Sequence, residues 1–165
     1  MLHIAVTVLL VLSLPLAAQT PFGRRAPGFS LPDLQLKQHD LQDYRGKVVV
    51  IDFMKTDCPK CQEVTKTIEA VKTKYGDKIQ ALSVVNLPDN QTTVSRYIAA
   101  HKATTPFLFD CGQMTASYLQ ITPKNPTVHL PHVIVIDKNG MIRRDLAEDA
   151  ATVQNISAAI EPLLK

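Results

Sequence analysis

Apolar residues along this chain form short continuous runs separated by longer stretches of helical spacing. An apolar run covers 48–51, the stretch 79–85 is largely apolar, and another apolar run begins at Val133. Short runs rich in branched side chains predict strands that are buried on both faces. Between and after them, apolar residues recur every three or four positions over 61–75 and 153–163, which predicts amphipathic helices. This alternation predicts a layered α/β domain with a mixed sheet.

Capping and turn residues set the boundaries of these elements. Gly76 suits the C-cap of the first helix, Asn90 suits the N-cap of the second, and Asn139-Gly140 predicts a hairpin turn. The predicted elements are an edge strand or hairpin arm over 29–36, strands over 47–53 and 79–85, a helix through 101, a strand over 106–109, a helix over 112–119, strands over 132–136 and 141–144, and a helix over 149–164.

Composition narrows the class of protein. The chain has 165 residues, of which 45% are hydrophobic and 20% are charged, and this profile predicts one globular domain. The net charge of +3 is small, and no basic cluster is interleaved with aromatic residues. We therefore predict no nucleic-acid partner.

The first eighteen residues differ in kind from the rest. An almost unbroken apolar run covers 4–16, and Ala17-Ala18-Gln19 resembles a small-residue cleavage site, so 1–18 is predicted to be a signal peptide. An uncleaved anchor is the alternative, because no Lys or Arg precedes the run. Either way we expect a periplasmic or other extracytoplasmic domain, where disulfides persist, and contact with the membrane only through an uncleaved segment.

The segment Cys58-Pro59-Lys60-Cys61 directly follows the first buried strand and opens the first helix. A helix N-terminus lowers the pKa of a thiol from about 8.5 to about 3.5–7.5, because its unpaired N–H groups favour the anion. Pro59 suits the first helical position. Lys60 would favour the Cys58 thiolate and Asp57 would oppose it, so the balance stays open. We predict that Cys58 attacks disulfides and that Cys61 resolves the mixed disulfide.

Two other uses of a CxxC pair fit the chain less well. A structural zinc site needs a second pair of ligands, whereas the one further cysteine is Cys111. An inert disulfide over so short a loop would constrain little of the unfolded chain. Cys111 itself is predicted to be a partly buried bystander before a helix, with a regulatory or intermolecular thiol as the alternative.

The order of elements, with a CxxC after the first central strand and a late proline before a hairpin, resembles the thioredoxin fold. More narrowly, the chain resembles the exported TlpA/ResA group within the AhpC/TSA (redoxin) family. The matching stretches are 26–34, 44–53, 58–61 and 130–140. The resemblance implies an α/β thioredoxin-like fold, with a mixed central sheet flanked by helices on both faces, over 29–165 after a lead at 19–28.

The resemblance also implies site residues. Pro131 corresponds to a cis proline that faces the cysteines, and the backbone of Leu130 would pair with the substrate, beside Pro59 and Lys60. Asp52 lies six residues before Cys58, the spacing of the family's buried aspartate, which helps to deprotonate the resolving thiol. In an apolar strand its pKa would be raised by desolvation. The alternative is an ion pair between Asp52 and a lysine such as Lys55.

One departure from the family pattern concerns the approach to Cys58. The aromatic residues usual at this point are absent, and the chain has no Trp. We expect a more polar surface around Cys58 and, with it, a partner different from the usual one.

We predict a thiol:disulfide oxidoreductase that reduces exported proteins, needs no metal or other cofactor, and is kept reduced by a membrane electron donor. A thiol peroxidase is the first alternative, but Ile51 and Lys55 stand where a PxxxTxxC motif has Pro and Thr, and Thr56 is one place off. A Cu or Zn carrier is the second, because His129 and His132 flank the late proline.

Overall fold

A computed structural model describes residues 23–165. The predicted signal segment and the first part of the predicted lead, through residue 22, lie outside the described residues. Within 23–165, no helix has both the length and the apolar character needed to cross a membrane.

Seven strands and four α-helices make up this part of the chain. The strands are β1 (Ser30–Pro32), β2 (Gln38–Asp40), β3 (Val48–Phe53), β4 (Ile79–Val85), β5 (Phe107–Phe109), β6 (His132–Ile136) and β7 (Ile142–Ala147). The helices are α1 (Pro59–Tyr75), α2 (Gln91–His101), α3 (Gln113–Tyr118) and α4 (Val153–Ile160).

Five strands form the main sheet in the order β5-β4-β3-β6-β7. β3 runs parallel to β4 and antiparallel to β6, and its last residue, Phe53, lies between Val84 and His132. The end of β3, the end of β4 and the start of β6 therefore meet at one end of the sheet, called here the cysteine end because Cys58 follows β3 there.

Both faces of the sheet are covered, which explains the apolar run over 48–51 in β3. Successive side chains of a strand point to opposite faces. Val48 and Val50 pack with α1 and α4, whereas Val49, Ile51 and Phe53 pack with α3 and the residues before β1. The predicted mixed sheet with helices on both faces is confirmed.

The last helix begins four residues later than predicted. Residues Glu148–Ala150 form a 3₁₀ turn, and the Thr152 hydroxyl then accepts a hydrogen bond from the Asn155 N–H at 3.2 Å. Such a bond satisfies an unpaired N–H of the first helical turn, so α4 starts at Val153. Hydrophobic spacing extends across this boundary and could not locate it.

The residues before β3 contact both edge strands of the main sheet, β5 and β7. The Ala26 N–H donates to Gly140 O and the Ile142 N–H to Arg24 O, both at 2.9 Å, so the lead pairs with the start of β7. The predicted edge strand is one arm of the separate β1–β2 hairpin, which lies against β5. A buried bond of 2.9 Å between His39 Nε2 and Asp33 Oδ2 closes this hairpin.

Candidate active site

Cys58 and Cys61 are paired as a disulfide at the start of α1. Their Cα atoms lie 5.2 Å apart, which is within the range that a disulfide spans. Cys58 is the N-cap residue in extended conformation, and Pro59 occupies the first helical position. The strand-to-helix placement expected from the sequence is therefore observed.

The two sulfur atoms differ in their access to a partner. Cys61 is completely buried, whereas Cys58 is partly exposed. The backbone N–H of Cys61 donates to Cys58 Sγ at 3.1 Å. A donor aimed at this sulfur favours its thiolate, and attack on another disulfide requires the thiolate. Cys58 is thus the sulfur suited to attack.

The late proline lies beside these cysteines. The Leu130–Pro131 peptide bond is cis, and Pro131 is buried directly before β6. Cys58 Sγ lies 3.9 Å from the carbonyl oxygen of Leu130, whose side chain is partly exposed. The backbone of Leu130 is therefore next to the sulfur that a partner can reach.

Asp52 is a buried carboxyl group in the middle strand of the sheet. It has no solvent exposure, and within the described residues neither of its side-chain oxygens has a hydrogen-bond partner. Desolvation raises its pKa to about 8. The direction agrees with the expectation, and neither carboxyl oxygen of Asp52 pairs with Lys55, which is exposed.

The Lys60 side chain forms ion pairs with two carboxylates. Its Nζ lies 2.6 Å from Asp149 Oδ1 and 3.1 Å from Glu63 Oε2, and hydrogen bonds to these groups raise the pKa of Lys60. Asp57 is exposed next to Cys58. The ion pairs offset the positive charge of Lys60, which weakens the predicted support for the Cys58 thiolate.

Asp89 is a site residue that sequence reasoning missed. It is buried after β4, accepts a hydrogen bond from the Thr56 N–H at 3.0 Å, and also accepts one from the Thr56 hydroxyl. The loop that leads to Cys58 is thereby fastened to the loop after β4. Asp89 lies next to the predicted cap Asn90, and nothing in the chain indicated a partner 33 positions earlier.

The two alternative chemistries find little support in these surroundings. The Thr56 hydroxyl, the nearest match to the peroxidase threonine, is bound to Asp89. His132 Nδ1 lies 2.7 Å from Asp145 Oδ1, and His129 is exposed. Across 23–165, no three His, Cys, Asp or Glu side chains are grouped so that they could hold a metal ion.

The prediction for Cys111 was wrong in one respect, because its side chain is exposed rather than partly buried. The neighbouring Asp110 turns inward and accepts hydrogen bonds from the backbone N–H groups of Met114 at 3.1 Å and Thr115 at 2.8 Å. With Asp110 committed to the start of α3, Cys111 faces outward. An analysis of apolar runs does not detect these bonds between a side chain and the backbone.

Comparison with known proteins agrees with this geometry. Thiol-disulfide oxidoreductase ResA of Geobacillus thermodenitrificans is 26% identical over 141 residues, which are 86% of this chain and 77% of that protein. Thioredoxin-like protein YneN of Bacillus subtilis is 27% identical over 123 residues, covering 73% of this chain and 68% of that protein.

A solved structure shows the same fold. The thioredoxin domain of a thiol-disulfide oxidoreductase from Bacteroides vulgatus has a TM-score of 0.70 and 19% identity, and the match covers 84% of this chain and 97% of that one. The named relatives, taken with the Cys58–Cys61 pair at disulfide distance, confirm the predicted thiol:disulfide oxidoreductase. Residues 22–145 match the sequence model of the AhpC/TSA family, and the chain belongs to that family.

Proposed function

We propose that this protein is a reductant of disulfides in exported proteins, with Cys58 as the attacking thiol and Cys61 as the resolving thiol. The observation that carries the roles of the two thiols is the asymmetry of the pair. One sulfur is accessible and receives an N–H at 3.1 Å, and the other is completely buried. A substrate can form a mixed disulfide with Cys58 and cannot reach Cys61.

The reaction transfers two electrons in two exchanges. The Cys58 thiolate attacks one sulfur of the substrate disulfide, a Cys58–substrate bond forms, and the other substrate sulfur leaves as a thiolate. Cys61 then loses its proton and attacks Cys58 Sγ. This second step forms the Cys58–Cys61 bond and releases the remaining substrate sulfur as a thiolate.

Asp52 is proposed to accept the proton that Cys61 loses, directly or through water. A base works best when its pKa lies near the working pH, and desolvation raises that of Asp52 to about 8. With no hydrogen-bond partner among the described residues, both carboxyl oxygens are available for this role.

Substrate is proposed to lie along the cysteine end of the sheet. There the Leu130 carbonyl is 3.9 Å from Cys58 Sγ, and Pro131 is buried beside it. Pro59 and Lys60, at the start of α1, would line the other side of the bound segment. The ion pairs of Lys60 leave it a contact residue rather than a source of positive charge.

The working location is proposed to be outside the cytoplasm, with 1–18 as the export signal and 29–165 as the redox domain. In such a compartment a reductant needs a renewable source of electrons, which we propose to be a membrane donor. The apolar run at 4–16 supports this placement.

A Cys61→Ser variant tests the two-thiol mechanism. Without the resolving thiol, mixed disulfides between Cys58 and substrate should accumulate, and non-reducing electrophoresis followed by mass spectrometry would identify them. A Cys58→Ser variant is the matched control and should trap nothing. Turnover of Cys61→Ser at the wild-type rate would overturn the mechanism.

The reduction potential of the Cys58–Cys61 couple tests the direction of electron flow. In a glutathione or dithiothreitol redox buffer, a value near about −270 mV, as in thioredoxin, is expected of a reductant. A value near about −120 mV, as in DsbA, would identify an oxidant and overturn this part of the proposal.

A further inference from the structure

Thr65 and Tyr97 form a hydrogen-bonded pair of hydroxyl groups beside Cys61. The Thr65 hydroxyl donates to the Cys61 carbonyl oxygen at 3.1 Å, and it lies 2.8 Å from the hydroxyl of Tyr97. A threonine hydroxyl has one hydrogen to donate. Because Thr65 uses it for Cys61, Tyr97 is the donor to Thr65. The two bonds therefore run in one direction, from Tyr97 in α2 through Thr65 to the backbone of Cys61 in α1.

Other threonines of α1 show what distinguishes Thr65. Thr67 and Thr73 also donate to the carbonyl oxygen four residues earlier, at 3.3 and 2.9 Å, but both of those bonds are exposed. Thr65 is buried and also accepts a hydrogen bond from another helix. A threonine that bonds back along its helix slightly destabilises that helix. The stability of α1 therefore does not explain this buried link at Cys61.

Tyr97 is a rigid anchor for the link. Its side chain is buried, and its ring packs with those of His101 and Phe107, with centroid distances of 4.3 and 5.8 Å. Burial raises the pKa of Tyr97, and the charges of Asp52 and Asp89 act in the same direction. The phenol therefore keeps its proton and remains a hydrogen-bond donor.

The hydroxyl pair lies in an apolar setting, where it adds little to stability. Tyr97 and Cys61 belong to one buried cluster with Met54 and Val85. Replacing both partners of a buried hydrogen bond by apolar groups of the same shape is often nearly neutral for stability. The link ends on the carbonyl group of Cys61, and this position indicates a use in the reaction.

Such a link has its largest effect when the disulfide is open. In the oxidised protein the bond to Cys58 holds Cys61 in place. In a mixed disulfide that bond is absent, and Cys61 Sγ has to reach Cys58 Sγ from the first turn of α1. Misplacing a reacting group by about 1 Å can cost about 100-fold in rate. An anchor on α2 that holds the Cys61 backbone limits such a shift.

We infer that Tyr97 is a positioning residue for the resolving step, which acts through Thr65 to hold Cys61 where its sulfur can attack Cys58 Sγ. This assignment rests on the proposed function, because it needs Cys61 to be the resolving thiol. The first step is the attack of Cys58 on substrate. It depends on a sulfur that neither hydroxyl contacts, so the link should act on the second step alone.

An aromatic disulfide separates the two steps in one experiment. Reduced protein is mixed with excess dithiobis(nitrobenzoate) in a stopped-flow spectrometer, in a Cys111→Ser background because Cys111 is exposed and would also react. Attack by Cys58 releases one coloured thionitrobenzoate, in a phase whose rate rises with reagent concentration. Attack by Cys61 on Cys58 Sγ then releases the second, in a phase whose rate constant does not depend on that concentration.

The variants remove one hydroxyl at a time. Tyr97→Phe and Thr65→Val should each slow the second phase about tenfold and leave the first within about twofold. Thr65→Ser keeps a hydroxyl at the same position and should retain most of the wild-type rate. Thr73→Val and Tyr75→Phe are the matched controls, because they remove a threonine bond and a phenol bond from the far end of α1. Both controls should keep the wild-type second phase.

The double variant separates positioning from a role in stability alone. Tyr97→Phe/Thr65→Val removes both hydroxyls and leaves neither without a partner, so its free energy of unfolding in urea should be no lower than that of Thr65→Val. Its second phase should nevertheless stay about tenfold slower than in the wild type, and no slower than in either single variant, because all three break the same link. Recovery of the rate together with the stability would overturn the assignment.

The remaining failures are distinguishable. A second phase at the wild-type rate in Tyr97→Phe would overturn the role of Tyr97 and leave the two-thiol mechanism intact. If the protein with both active-site cysteines releases only one thionitrobenzoate, as Cys61→Ser should, the proposed function itself fails.

Discussion

Asp52 and Asp137 are two buried carboxyl groups at opposite ends of neighbouring strands, and they have opposite electrostatics. Asp52 has no hydrogen-bond partner in the described chain, and desolvation raises its pKa to about 8. Asp137 follows β6 and accepts bonds from the Asn139 and Met141 N–H groups at 2.9 Å and from Arg143 Nε at 2.7 Å. Desolvation also acts on Asp137, but these bonds together hold its pKa below the ordinary value.

The comparison teaches that burial alone does not set the charge of a carboxyl group. Asp137 is ionised because its turn supplies donors, and it helps to hold the hairpin between β6 and β7. Asp52 lacks donors, so the fold bears the cost of desolvating it. That cost falls next to the cysteine end of the sheet, where a proton acceptor has a use.

The largest expected effect is on the pH dependence of stability. In the folded protein Asp52 keeps its proton up to about pH 8, whereas in the unfolded chain it loses it near about pH 3.9. The raised pKa therefore contributes stability that is complete below about pH 4 and is lost as pH rises through about 8. From pH 4 to pH 7 we expect the free energy of unfolding of the wild type to fall by about 4 kcal/mol relative to that of Asp52→Asn.

Urea unfolding of both proteins across this pH range measures that difference. If the gap between their free energies of unfolding does not change with pH, the two buried carboxyl groups do not differ as described.

The next largest effect is on the rate of the resolving step in the Asp52→Asn variant. Loss of the base should slow the resolving step about 100-fold near pH 7, within the range for general base catalysis. The pH dependence should also change, because the wild-type rate should rise toward about pH 8 as Asp52 ionises. Stopped-flow decay of a preformed Cys58 mixed disulfide gives the rate. An unchanged rate and pH profile would remove Asp52 from the mechanism.

Asp137→Asn should lower the stability of the protein at pH 7, whereas Asp52→Asn should raise it. It weakens a charge-assisted bond to Arg143 and two bonds to backbone N–H groups, so we expect a loss of about 2 kcal/mol at pH 7. Because the pKa of Asp137 is lowered, its contribution is present above about pH 4 and is lost as pH falls further. Thermal unfolding with Asp52→Asn alongside should show changes of opposite sign.

The smallest effect concerns the exposed Asp149. Asp149→Asn removes a negative charge and breaks the shorter ion pair of Lys60, two residues after Cys58. The pKa of the reduced Cys58 thiol should fall slightly, and alkylation at pH 6 should speed up about twofold. Glu161→Gln, which breaks the distant ion pair with Lys74, is the control and should leave the alkylation rate unchanged.

Local patterns predicted the fold and the centre of the site well. The second strand of the sheet runs over Ile79–Val85 as expected, because an apolar run between turns leaves little choice of boundary. The Asn90 cap and the Gly76 C-cap were found because each acts on its own neighbours. The placement of Cys58 at a helix start followed from the strand before it and Pro59 after it.

What was missed depends on contacts between distant segments. The Asp89–Thr56 clamp and the Lys60–Asp149 ion pair join loops that only the folded sheet brings together. The Leu87–Pro88 bond is also cis, and no local signal distinguished it from the usual trans form. Hydrophobic spacing describes how a chain buries its core, and these polar partners lie outside that description.

The residues before β3 have a consequence for solubility. The two outer strands of the sheet, β5 and β7, would each present a row of unpaired backbone groups to another molecule. The hairpin formed by β1 and β2 lies against β5, and Arg24 to Ala26 bond to the start of β7. This stretch holds none of the redox groups, yet it covers β5 and the first residue of β7, where a strand of a neighbouring copy could otherwise add.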